Sequence, residues 1–117
     1  MARPLPEQDH HITRDEALRI VRALRAKVRD AAAKGVAART QPTPVRCFHR
    51  KGIDRILNQP GCVGVRLYPA VHDDGKETLV LVGIAADGSD MADGEFVQQP
   101  VDCPPDCDEN SVLHRDA

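Results

Sequence analysis

The sequence predicts an α+β protein: a long N-terminal amphipathic helix, a short second helix, then an antiparallel meander of two or three strands. Three observations predict it. An Ala-, Leu- and Arg-rich run after Thr13 repeats its apolar residues at helical spacing. Residues 62–68 alternate in the period of a strand. Two Asp-Gly pairs, Asp74-Gly75 and Asp87-Gly88, supply the positive φ that tight turns need.

Taken in order, residues 1–12 carry Pro4, Pro6 and the pair His10-His11 without apolar periodicity, and read as a flexible N-terminal arm. Thr13-Arg14-Asp15-Glu16 is a capping box, in which the Thr13 hydroxyl accepts from the Glu16 N–H and the Glu16 side chain reaches back to the Thr13 N–H. Good helix formers continue from it to Lys34, and Gly35 supplies the stop, so residues 13–35 form the amphipathic helix. Leu18, Val21, Leu24 or Arg25, Val28, and Ala31 or Ala32 make one apolar stripe, with Arg19, Arg22, Lys27, Arg29 and Lys34 opposite. A helix of this length is marginal alone and needs something to cover its stripe. Leu18, Val21, Arg22, Arg25 and Val28 are therefore the candidate partner-binding residues.

Pro42 and Pro44 mark residues 36–46 as a linker, because they block helix and force extended backbone. Residues 47–107 read as a small α+β core. A short helix spans about residues 50–58, with Ile53, Ile56 and Leu57 on one face, and Pro60-Gly61 ends it. In the strand that follows, Val63, Val65 and Leu67 alternate with Cys62, Gly64, Arg66 and Tyr68, and Pro69 ends it or marks a sheet edge. Asp73-Asp74-Gly75-Lys76 turns the chain into a return strand over 77–86, apolar on both sides from Leu79 onward. Such a strand is central, with both faces covered, and a subunit or the C-terminal segment is the expected cover for the second face. A third strand is expected through Glu95–Gln99. Residues 108–117 read as a polar tail.

The chain has the length of one domain, 117 residues, and only three aromatics, so its core is aliphatic. Its apolar runs are far shorter than the ~20 residues of a spanning helix, and its N-terminus lacks the apolar stretch of a secretory signal. The expectation is a soluble cytoplasmic protein with no membrane contact. In that compartment the four cysteines are expected as thiols or metal ligands rather than as disulfides.

A net charge of −2 conceals an asymmetry. Residues 1–55 hold 13 Lys/Arg against 6 Asp/Glu, and residues 56–117 hold 3 against 12, so the halves carry +7 and −9. Opposite halves can pair within one molecule or between copies. The basic helix face also suits nucleic acid, although no helix-turn-helix pattern follows it.

The most distinctive local feature is Cys103-Pro104-Pro105-Asp106-Cys107. Three residues between cysteines fit a structural zinc site, and Cys47, Cys62 or His49 can supply further ligands. The same pair can form a reversible disulfide, but Asp102, Asp106 and Asp108 place negative charge beside both sulfurs and disfavour thiolate. Cys47 and His49 also carry the residue types of a nucleophile and its base, without an orienting third group. Asp87–Glu95 is acidic and glycine-rich but lacks the alternating ligand pattern of a calcium loop.

No phosphate-binding glycine loop, dinucleotide fingerprint, serine elbow or zinc-protease motif is present. The sequence thus points away from catalysis, toward a small binding or assembly module that acts by self-association or by docking to a protein partner. A cysteine-based protein, binding zinc or working as a thiol redox pair, is the alternative.

Overall fold

The computed structural model of the chain describes residues 2–35, 45–103 and 107–114. Most of the predicted linker, Pro104-Pro105-Asp106 and the last three residues lie outside these. The architecture is mixed α+β: α1 (Arg14–Ala33), β1 (Val45–Cys47), α2 (Arg50–Leu57), β2 (Cys62–Val71), β3 (Glu77–Ala85), β4 (Phe96–Val97) and β5 (Val101–Cys103). One sheet has the strand order β2-β3-β4, and β1 and β5 form a second, two-stranded sheet. The chain divides into two compact units, each with a piece from either end: Met1–Gln8 with Arg46–Val101, and Asp9–Val45 with Asp102–Ala117.

The first unit is built on the meander. The Asp74-Gly75 turn forms as its chemistry dictates: Gly75 has φ +88, its N–H donates to His72 O, and Lys76 N–H donates to Asp74 Oδ1. It sets β2 antiparallel to β3, with Leu67 opposite Leu81 and Arg66 opposite Val82. β3, central as expected, holds the core residues Leu81, Val82 and Ile84 at 1–2% exposure. Leu81 and its cross-strand partner Val97 lie under α2, where a Cβ on Gly52 would come within 3.2 Å of a Val97 methyl. From α2, Ile56 is fully buried. Gln59 fastens the end of this helix to the sheet, donating to Ile56 O and accepting from Glu95 N–H.

The predicted alternation of β2 breaks at its start. The register shifts between Cys62 and Gly64, so Val63 is the extra residue of a bulge. The bulge places Cys62 on the helix-covered face with Val65 and Leu67, its Sγ 3.1 Å from where a Gly83 Cβ would sit. β2 also continues past Pro69 to Val71. His72 N–H points toward β3, so even-numbered residues of β2 face that strand and Pro69 faces the free edge. Its missing N–H therefore costs no ladder bond.

The second face of the sheet has a different cover from the one expected. Leu5 Cδ2 lies 3.0 Å from the position of a Gly64 Cβ, and the backbone of Arg3 crosses directly over Gly88. Residues of the N-terminal segment thus lie against the face carrying Gly64 and Ile84. Gly88 is required twice: its φ of +90 suits glycine, and any Cβ would collide with the Arg3 carbonyl. On the same face Arg66 donates to Asp90 Oδ1 (2.5 Å) and Gly88 O (3.3 Å), and Tyr68 OH donates to Asp90 Oδ2 (2.5 Å).

The second unit contains α1. Half of its capping box forms, with Glu16 N–H donating to Thr13 Oγ1 at 3.1 Å. The Glu16 side chain turns instead to Arg19, and this ion pair holds the Glu16 carboxyl below its ordinary range. The half-buried residues include Leu18, Val21, Arg25, Val28 and Ala31, which settles the stripe on Arg25 and Ala31. No residue of α1 is buried.

Candidate functional site

β5 ends at Cys103, which is 7% exposed, and Cys107 is half-buried beside it. The two are joined as a disulfide, with their Cα atoms 4.8 Å apart. That distance lies within the range a disulfide bridges, and the three-residue spacing is what permits it. The pairing differs from the expectation of thiols or metal ligands throughout; Cys47 and Cys62 alone remain free. A loop this short removes little entropy from the unfolded chain, so the bond contributes roughly 2 kcal/mol, less than a long-range bridge.

The sequence did not point to the third member of the site. His114 brings a ring nitrogen to the two sulfurs, all three ligand atoms lying within 4.8 Å of one another. Two short side-chain-guided turns carry it there. Asp108 Oδ1 accepts from Asn110 N–H and Asp108 O from Ser111 N–H; Ser111 Oγ then accepts from Leu113 N–H, and Ser111 O from His114 N–H. Asp and Ser favour such local bonds. Together the turns fold residues 108–114 back toward Cys107. The recoverable signal was Asp108 and Ser111 at three-residue spacing within what otherwise reads as a polar tail.

The other predicted ligands have different surroundings. His49 is the N-cap of α2, its Nδ1 accepting from Lys51 N–H at 3.0 Å. That bond occupies the nitrogen a base would need toward Cys47, which is exposed. Cys62 is half-buried in the bulge, its Sγ 3.2 Å from Gly64 O. Among the described residues, Cys103, Cys107 and His114 are the one group of three metal-ligating side chains.

The candidate docking residues lie on α1. Leu18, Val21, Arg25 and Val28 are half-buried, and Arg22 is exposed. Beside them, Ile20 is 46% and Leu24 51% exposed. With Ile20, absent from the predicted stripe, the apolar arc spans more than a third of the helix circumference. No described helix is long and apolar enough to cross a membrane.

Comparison with known proteins adds nothing to this geometry: no family model, curated protein or solved structure matches the chain.

Proposed function

We propose that the protein is a non-catalytic association module, with α1 as its docking element and a second copy of the chain as its partner. The observation that carries the reading is that none of the twenty residues of this helix is fully buried, while Ile20 and Leu24 stand about half exposed. A helix of this length draws its stability from the packing of its apolar face, and exposed apolar residues on one arc mark a surface for another molecule. Charge favours a second copy over an unrelated partner. The basic residues flanking the arc, Arg22 and Lys27, complement a half-chain of net charge −9 that every copy carries.

Size-exclusion chromatography with light scattering, read beside native mass spectrometry, tests this on the full chain. The intact protein is expected as a defined oligomer, and the double substitution Ile20→Glu/Leu24→Glu as a monomer with an unchanged sheet signal in circular dichroism. Point substitutions are preferable to removing residues 1–45, because Arg3 and Leu5 lie against the sheet. A wild-type chain that stays monomeric at every concentration, or a variant that keeps its assembly, overturns the reading. Monomers retained on heparin and released steeply by salt would assign the basic face to nucleic acid instead.

A further inference from the structure

We infer that Cys103, Cys107 and His114 form a zinc site that opens only when the disulfide is reduced. The case begins with the ligand chemistry. Two thiolates and an imidazole are a donor set zinc prefers, and three protein ligands with a water in the fourth position complete a tetrahedral ion. Here the three donor atoms already lie within 4.8 Å of one another, so the metal needs no long-range rearrangement to find them. They come from two short stretches, the end of β5 and the turn-guided segment 107–114, and that segment delivers the histidine through its own hydrogen bonds.

Two features bear on the gating. In the disulfide the sulfurs are bonded to each other and present no thiolate, leaving His114 as the group's remaining strong donor. Asp108, next in sequence to Cys107, adds negative charge that favours a bound dication.

The chemistry balances with a dithiol as reductant. It delivers two electrons and two protons to the Cys103–Cys107 bond, leaving two thiols and becoming a disulfide itself. Zinc then displaces both thiol protons and takes a neutral ring nitrogen of His114. Two protons are released for each ion bound, so affinity rises with pH. The buried Cys103 gives the site a fixed side, while the exposed His114 gives it an entrance.

Cobalt(II) and zinc(II) titrations of the full chain, before and after reduction by a phosphine that binds neither metal, test the inference. The reduced protein is expected to take up one equivalent of cobalt with the thiolate charge-transfer absorption of two sulfurs, and to exchange it for zinc. The oxidised protein is expected to bind neither. Cys103→Ser or Cys107→Ser should abolish uptake. His114→Ala should weaken it by at least the ~10–100-fold that loss of an outer-shell partner costs. Cys47→Ser/Cys62→Ser should leave it intact. The inference is overturned if the reduced chain binds no metal, if the oxidised chain binds it equally, or if uptake follows Cys47 and Cys62.

Discussion

The two helices invert the usual relation between length and anchorage. α1 has twenty residues, an N-cap bond to Thr13 and a run of good helix formers, yet none of its residues is fully buried. α2 has eight residues, and with Ile56 it contributes one of the three largest fully buried side chains of the described chain. Local propensity makes a helix possible, but burial decides whether it belongs to the core. The shorter helix is thus anchored in the core through Ile56, while the longer one leaves Ile20 and Leu24 about half exposed.

The sharpest way to break this comparison is Ile56→Ala. Removing a fully buried isoleucine should cost about 2–5 kcal/mol, read as a lower midpoint in urea, because both the transfer and cavity costs apply. The same truncation at Ile20 or Leu24, already half exposed, should cost far less in the unassembled chain. Comparable losses at the two helices would mean that α1 is part of the core after all.

Next in size is Gly88→Ala. A positive φ in a non-glycine residue costs ~1–3 kcal/mol, and the new methyl must also displace the Arg3 backbone. Deleting residues 1–5 in the same chain should recover the collision but not the φ cost. Full recovery would show that the backbone strain is negligible; no recovery, that the N-terminal segment does not lie over Gly88.

The caps give a smaller and more discriminating pair. Thr13→Ala and His49→Ala each remove one N-cap acceptor, worth ~1 kcal/mol to its helix. In α2 that loss should appear in the global unfolding midpoint, since Ile56 ties the helix to the sheet. In α1 it should appear as lost helical signal, with the midpoint of the sheet unmoved.

What was legible in the sequence follows from the range of the interactions involved. The α1 boundaries, the Asp74-Gly75 turn and the central place of β3 come from residues a few positions apart, and period and turn chemistry report them directly. The bulge at Val63 was not legible, because one residue out of register with a partner strand leaves no mark on its own strand. Nor was the cover supplied by Leu5, which depends on a segment some sixty residues distant from Gly64. The site divides in the same way. Cys103 and Cys107 announce themselves by spacing, whereas His114 reaches them through two weak local turns within a polar stretch. Ile20, 46% exposed, lies at the edge of a wide arc, outside the i, i+3, i+4 spacing that marks its centre.

The smallest effect expected is at Asp90, and its sign is fixed. Hydrogen bonds from Tyr68, and then from Arg66, hold its carboxyl below the ordinary aspartate range. A carboxyl depressed in the folded state contributes stability that is fully present above its unfolded pKa. That contribution is lost as pH falls through the folded value. The same contact raises Tyr68, whose contribution is complete below its unfolded value and lost as alkaline pH passes the folded one. Both groups are solvent-accessible, so water and salt screen them and the effect is modest. Asp90→Asn should therefore lower the midpoint slightly at neutral pH and flatten its decline in acid. The variant and wild type should converge once Asp90 is protonated in both states. Because Arg66 and Tyr68 belong to β2 and Asp90 to the loop after β3, the loss should reach the sheet and leave the helical signal of α1 unchanged. A variant whose acid profile runs parallel to wild type would show that the Arg66–Asp90–Tyr68 contacts do not persist in solution.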